Sequence, residues 1–197
     1  MSKLQELIRK HCPNGVEYKK IGEICRITIG EFVHKNKQTA NGKYPVYNGG
    51  RENTGFYEEY NNTGNKVIIS ARGANAGFVN KVYTNYWAGN SCYSLSPIDN
   101  KYLDWIFLFY ILKGKEKEFI NSQQTGSIPA LSKKQIEQLE IPVPPIAVQK
   151  EIVHILDNFT NIVTELRAEL QAELQARKEQ YEFYRDKLLS FQKVTEE

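Results

Sequence analysis

Four short polar segments contain the side chains that could recognise DNA. They lie between runs of β-branched and aromatic residues, and glycine, lysine or paired amides dominate them. Arginine, asparagine and glutamine can hydrogen-bond guanine and adenine edges in the major groove, whereas lysine, serine and threonine hold phosphates. The candidate DNA-binding residues in these segments and just beyond them are Lys35, Lys37, Gln38, Asn48, Arg51, Arg72, Asn75, Gln123, Gln124, Thr125, Ser127 and Lys133.

The candidates are predicted to have different roles. The loop holding Gln123 and Gln124 contains no apolar anchor, so its amides are predicted to read adenine. Arg51 is predicted to contact guanine, and Lys37 a phosphate. The alternative for each loop is a solvated turn without a binding role. Arg72 follows the apolar run VIIS, so it could instead be a buried structural arginine.

The sequence lacks the motifs of common enzyme sites. It has no phosphate-binding G-x-x-x-x-G-K-[ST] loop, no H-E-x-x-H and no G-x-S-x-G, and RGANAG lacks the glycine pattern of a dinucleotide loop. The histidines and cysteines have no metal-ligand spacing; they are His11, His34, His154, Cys12, Cys25 and Cys92. We therefore predict no catalytic residue, no metal and no cofactor in this chain.

Charge is divided unevenly along the chain. Residues 1–147 carry 19 Lys and Arg against 13 Asp and Glu, whereas residues 148–197 carry 7 against 10. A basic part followed by a mildly acidic one predicts that the first meets a polyanion and the second meets protein.

Residues 1–147 are predicted to form an α+β domain with a small, irregular mixed sheet. Short strand-like runs alternate with glycine and asparagine turns: ICRITIG, YPVYNGG, TGFYEEY, KVIISARG, GFVNKVY and SCYSLSP. Helices are expected near residues 3–11, 102–118 and 132–137. A nucleotide-binding parallel sheet is not expected, because the sequence does not alternate strands with helices.

Residues 148–197 are predicted to form one long helix. Pro142, Pro144 and Pro145 favour an extended segment, and the 52 residues after Pro145 contain neither glycine nor proline. Apolar residues then recur at spacings of three and four, at Leu156, Phe159, Val163, Leu166, Leu170, Leu174, Tyr181, Tyr184 and Leu188. This seam predicts a coiled-coil helix of roughly 65 Å that dimerises, because so small a domain cannot cover it.

The composition is that expected of a cytoplasmic protein. The longest apolar run, WIFLFYIL, is far too short to span a bilayer. The first residues contain no apolar segment typical of a signal peptide, and three cysteines without paired spacing fit a reducing compartment. No membrane association is expected.

Several stretches together resemble the specificity subunit of type I restriction–modification systems. They are NGVEYKKIGEI, YPVYNGG, VIISARGANAG, GSIPALSKKQIEQLEIPVPPIAVQKEIVHILD and ARKEQYEFYRDKLLSF, and they cover nearly the whole chain. A complete subunit of this family has two recognition domains in tandem, each followed by a conserved helix. One such unit and no internal repeat occur here, which departs from the family pattern and predicts a half-length form.

The resemblance implies partners as well as a fold. Each recognition domain would read a few base pairs, and two helices would pair antiparallel and seat methyltransferase subunits. S-adenosylmethionine is expected on those subunits, with ATP and magnesium on a separate restriction subunit. This chain would pair with a second copy and read a bipartite site on double-stranded DNA.

Three other interpretations stay open. The chain could be a stand-alone or truncated half-specificity protein, which would not co-purify with a methyltransferase. It could be a coiled-coil interaction module whose basic domain meets another partner. It could also be a nuclease with an unrecognised site, which metal-dependent cleavage by the pure chain would reveal.

Overall fold

The computed structural model describes residues 2–121 and 129–191. The chain divides into two compact units, Met1–Val153 and His154–Glu197. The domain boundary predicted at 147/148 stays a prediction. Among the described residues, no helix is long and apolar enough to cross a membrane.

The described part of the chain is α+β, as predicted. Its helices are α1 (Lys3–His11), α2 (Ile21–Ile24), α3 (Trp105–Gly114), α4 (Glu116–Asn121), α5 (Lys133–Glu137) and α6 (Ile146–Leu189), with a 3-10 turn at Lys35–Lys37. Its strands are β1 (Glu17–Lys20), β2 (Cys25–Ile29), β3 (Tyr44–Tyr47), β4 (Phe56–Tyr57), β5 (Lys66–Ser70), β6 (Val79–Val82), β7 (Trp87–Ala88), β8 (Cys92–Pro97) and β9 (Glu140–Val143).

The described strands form three small sheets. The largest is antiparallel, in the order β2-β8-β5-β6. A second sheet has the order β4-β3-β7, in which β3 pairs antiparallel with β4 and parallel with β7. The third sheet is the antiparallel pair of β1 and β9, two strands that lie near opposite ends of the domain's sequence. The sheets are therefore mixed and irregular, as predicted.

One face of the four-stranded sheet builds the main core. Ile27, Val67 and Leu95 alternate inward along β2, β5 and β8. They are in the same buried cluster as Leu108 and Leu112 of α3, which are fully buried. Burying each such side chain stabilises the fold by about 1.5–3 kcal/mol.

The opposite face of this sheet supports a smaller cluster. Ile68 of β5 and Cys92 of β8 are in one buried cluster with Ala88 of β7 and with Tyr86, which directly precedes β7. The Tyr86 hydroxyl, fully buried, donates to Ser94 Oγ at 2.8 Å. Burial raises the pKa of Tyr86, so this hydroxyl remains a neutral donor.

The predicted helix over residues 102–118 is two shorter helices. The Asp104 side chain accepts hydrogen bonds from the backbone of Ile106 and Phe107, so α3 starts at Trp105. It ends at Gly114, and α4 starts two residues later. The capping aspartate and the glycine, a weak helix former, explain the shorter span.

The other two helix predictions for the domain are confirmed. α1 spans residues 3–11, and α5 starts after Ser132, whose side chain caps it. In both helices the capping serine is paired with a glutamine three residues later, which forms the second half of a capping box.

The long C-terminal helix is also confirmed. α6 runs without interruption over 44 residues and starts directly after Pro145. Pro142 lies in β9, which pairs only with β1 among the described strands. From Phe159 to Leu188, the predicted seam residues expose between 46% and 72% of their surface, and Leu156 is half-buried.

Candidate nucleic-acid interface

Two of the predicted loops meet at the end of the four-stranded sheet where β5 ends. Arg51 Nε donates to Asn75 Oδ1 at 3.3 Å, joining the loop after β3 to the loop after β5. The Arg51 guanidinium carbon lies 5.6 Å from the centre of the Phe78 ring. The backbone oxygen of Arg51 accepts from Asn80 Nδ2 at 3.4 Å. The contacts with Asn75 and Phe78 orient the guanidinium, the contact with Asn80 holds the backbone, and the residue stays exposed.

Glycines allow the two loops to approach each other and α4 closely. Gly49 has a φ of +76°, and a Cβ at this position would lie 3.1 Å from the Arg72 carbonyl oxygen. Gly77 has a φ of +86°, and a Cβ there would lie 2.9 Å from Cβ of Phe119 in α4. Glycine suits both positions because it adopts positive φ without a steric cost.

Arg72 is exposed, so the alternative of a buried structural arginine is wrong. Its backbone forms an antiparallel bridge with Ala130. Next to it, the Gly73 N–H donates to the Pro129 carbonyl at 3.0 Å. Arg72 and Gly73 therefore lie beside Pro129 and Ala130.

Four of the predicted base-reading and phosphate-binding residues lie outside the described residues: Gln123, Gln124, Thr125 and Ser127. Both ends of their segment are described. Phe119 and Ile120 precede it and pack at Gly77, while Pro129 follows it and bonds to Gly73. Described residues on both sides of these four therefore contact the loop that carries Arg72 and Asn75. We call Asn48–Arg51 and Arg72–Gly77 together the loop cluster.

The side-chain oxygens of two predicted residues, Asn48 and Gln38, accept hydrogen bonds from other parts of the domain. Asn48 Oδ1 accepts from the Ser91 N–H at 3.2 Å and lies where a Cβ on Gly89 would sit. Gln38 Oε1 accepts from the Thr54 hydroxyl at 2.9 Å. Both side chains are half-buried, so a role in DNA binding would fall to the remaining amide N–H groups.

The predicted lysines lie elsewhere on the surface of the domain. Lys35 and Lys37 lie in the exposed 3-10 turn, next to a groove of about 380 Å³ that Lys35, Gln38 and Thr54 help to line. Lys133 lies on α5, and its Nζ is 3.4 Å from Glu137 Oε1. The structure therefore brings Arg51, Arg72 and Asn75 together, but not the lysines.

The described residues offer little for catalysis. None of their His, Cys, Asp or Glu side chains form a group of three or more that could hold a metal ion. Burial raises the pKa of the Cys25 and Cys92 thiols to about 12, so both stay protonated and unreactive near neutral pH.

The sequence did not predict the roles of Phe78, whose ring packs on the Arg51 guanidinium, and of Asn80, which bonds to the Arg51 backbone oxygen. Sequence reasoning also missed Arg26 and Lys66, two cations on neighbouring parts of the sheet surface. Side chains alternate between the two faces of a sheet, so the apolar neighbours of Arg26 in β2 and of Lys66 in β5 do predict that each cation points away from the core. Their proximity depends on the strand order, which the local pattern does not contain.

The chain matches the sequence model described as "Type I restriction modification DNA specificity domain" over residues 13–176. It is 35% identical over 175 residues to S.MpnORF507P of Mycoplasma pneumoniae, described as a type I specificity subunit, covering 87% of this chain and 46% of that protein. It is 32% identical over 188 residues to S.HindORF215P of Haemophilus influenzae, described as a type I restriction enzyme specificity subunit, covering 91% and 47%.

A solved structure has the same fold. The type I restriction–modification S subunit from M. genitalium superposes with a TM-score of 0.70 and 25% identity, covering 84% of this chain and 45% of that one. The chain thus spans about half the length of these relatives. Because the family match extends over most of the sequence, the chain belongs to the family of type I restriction–modification DNA specificity domains.

Proposed function

We propose that this chain is a sequence-specific DNA-binding component of a type I restriction–modification system. It would direct methyltransferase and restriction subunits to a bipartite site. The main support for this proposal is that Arg51, Arg72 and Asn75 lie close together on the two neighbouring loops of the loop cluster. Arginine and asparagine are the side chains suited to guanine and adenine edges.

In this proposal the chain has no catalytic role. The methyltransferase subunits would supply S-adenosylmethionine and the adenine-methylating site, and the restriction subunit would supply ATP and magnesium chemistry. The family match supports this division of work, because it is to a DNA specificity domain. The location would be the cytoplasm, where the DNA and these subunits meet.

Recognition of a bipartite site needs two recognition domains. We propose that a second copy provides the other one, and that the two copies pair through a coiled coil of the α6 helices. The seam from Phe159 to Leu188 is exposed, and burying it against another helix would remove apolar surface from water. Residues 1–147 would then recognise DNA, and residues 148–197 would form the spacer and dimerisation helix.

The roles of individual residues can be separated by competition binding. The target is first found by mapping methylated adenines in a host that carries this gene and its methyltransferase partner. Gln124→Ala and Arg51→Ala are then compared with Lys37→Ala on target and scrambled duplexes, with the methyltransferase subunit present. Removing a base-reading side chain should cost about 1–3 kcal/mol of binding free energy on the target duplex and nothing on the scrambled one.

We expect Lys37→Ala to weaken binding to both duplexes equally and to reduce the salt dependence. Arg9→Ala, on the exposed face of α1, is the charge-matched control. Equal losses on both duplexes for Gln124→Ala and Arg51→Ala would contradict base reading by these loops. Failure of the wild-type chain to co-purify with any methyltransferase would favour a stand-alone half-specificity protein.

A further inference from the structure

Two cations lie in one cross-strand row at the end of the four-stranded sheet where β5 begins. Arg26 of β2 is directly opposite Ser96 of β8. Val67 of β5 is opposite Leu95, which places Lys66 beside Ser96 on its other side. Their neighbours in sequence point into the main core, so Arg26, Ser96 and Lys66 share the opposite face.

This row lines a cleft of about 640 Å³. None of the described residues that line it is Asp or Glu. Lys66 Nζ donates to the neutral Asn62 Oδ1 at 2.8 Å, and the Arg26 guanidinium makes no hydrogen bond or ion pair with any described residue. Burial and, to a lesser extent, the charge of Arg26 lower the pKa of Lys66, so the two cations are close enough to repel each other.

The rest of the cleft is preformed. The rings of Tyr83 and Trp105 pack edge to face, with centroids 5.1 Å apart, and both line the cleft. The Gly64 N–H donates to Asn85 Oδ1 at 3.2 Å, and a Cβ on Gly64 would lie 2.0 Å from the Tyr83 carbonyl oxygen. The loop before β5 is therefore held tightly against the strand end that carries Tyr83.

We infer that this cleft binds the phosphate group of a nucleotide unit. Arg26 and Lys66 hold the phosphate, the Ser96 hydroxyl donates to it, and the adjacent base packs on Trp105 and Tyr83. An anion between the cations would relieve their repulsion, and aromatic faces accept any base. The phosphate comes either from a DNA backbone or from a free nucleotide; the first source rests on the proposed function.

The cleft is separate from the loop cluster. Lys66 starts β5 and Ser70 ends it, so the two sites are about 13 Å apart along this strand. A phosphate held here is therefore distant from the bases that the loop cluster would read. The cleft would add affinity that does not depend on base sequence.

The test uses Arg26→Ala and Lys66→Ala in the full chain, with Arg9→Ala and Lys10→Ala as matched controls on the exposed face of α1. Affinity for a DNA duplex is measured against salt concentration. Loss of one phosphate contact should reduce the log–log slope by about 0.9. In parallel, deoxyadenosine monophosphate is titrated while tryptophan fluorescence is followed, with Trp105→Phe identifying the responding ring.

A slope that falls in the cleft variants and not in the controls supports the inference with DNA as the source. The salt slope could instead be unchanged while the nucleotide alters tryptophan fluorescence in the wild-type chain but not in the cleft variants. This result supports the inference with a free nucleotide as the source. If both variants match the controls in both measurements, the inference is overturned. A wild-type chain that binds the nucleotide but no DNA would overturn the proposed function and leave the cleft standing. Thermal unfolding confirms that each variant is folded, and Arg26→Gln replaces Arg26→Ala if that variant is not.

Discussion

Single side chains connect segments that are far apart in the sequence of the recognition domain. Gln149 is fully buried, and its amide makes three hydrogen bonds to backbone groups. Its Oε1 accepts from the Asp104 N–H at 2.8 Å, and its Nε2 donates to the carbonyls of Tyr102 and Pro144 at 2.9 and 2.7 Å. This one amide thus fixes the start of α6 to the segment that caps α3.

Replacing this amide should destabilise the domain strongly. In Gln149→Leu, the side chain keeps a similar volume but leaves one N–H and two carbonyl groups buried without partners. Each such group costs about 1–3 kcal/mol, so the free energy of unfolding should fall by at least about 3 kcal/mol. Urea denaturation measures this, with Lys150→Leu at the exposed neighbour as control. A loss similar to that of the control would show that water replaces the amide at no cost.

The buried thiols give a second prediction at the same scale. The pKa of Cys25 and of Cys92 is about 12, because burial disfavours the thiolate. At pH 8 the thiolate fraction is therefore roughly a thousandfold lower than for a thiol whose pKa is 9. Both cysteines should resist iodoacetamide in the folded chain and react in urea, as mass spectrometry of peptides would show. Rapid labelling at pH 8 without denaturant would mean that the core opens readily.

At the scale of elements, α6 combines two different environments along one helix. Its first turns contribute Val148, Gln149 and Glu151 to the buried part of the domain. From His154 it forms a unit of its own, whose apolar side chains are largely exposed. Most of the stability of helices in proteins comes from packing an apolar face against a neighbour, so the exposed seam favours a partner helix.

Charge placed in this seam should abolish dimerisation. Leu166→Asp with Leu170→Asp puts two carboxylates where the proposed coiled coil is dry, and burying unpaired charge is strongly unfavourable. Ala168→Asp with Ala172→Asp introduces the same charges at the same spacing on the opposite side of the helix. Analytical ultracentrifugation should give monomers for the first pair and dimers for the second. A wild-type chain that sediments as a folded monomer at micromolar concentration would contradict the pairing.

The elements differ in how far the sequence predicts them. α6 was predictable because a run without glycine or proline and a repeated apolar spacing are local signals. β1 and β9 were not, because each is short and its partner is more than a hundred residues away. The same reason explains the candidate site: the loops of Arg51 and Asn75 were predicted one by one, but their contact depends on how β3 and β5 are arranged.

At the scale of the whole molecule, the two units should have separable properties. The unit Met1–Val153 contains the loop cluster and the described core, whereas the unit His154–Glu197 contains the whole seam from Leu156 to Leu188. A chain ending at Val153 should therefore fold cooperatively but sediment as a monomer. On the bipartite site found by methylation mapping, it should bind about 10² to 10⁴ times more weakly than the full chain, because it cannot engage both halves together.

The comparison that makes this prediction decisive uses a single half-site. There the 1–153 fragment and the full chain should bind with similar affinity, because only one recognition domain can contact the DNA in either case. A fragment ending at residue 145 is the folding control, since it also removes Val148 and Gln149 from the core and should unfold. Fluorescence anisotropy gives the affinities and ultracentrifugation the mass. If the 1–153 fragment equals the full chain on the bipartite site, the helix does not supply bivalent binding, and the role proposed for α6 is wrong.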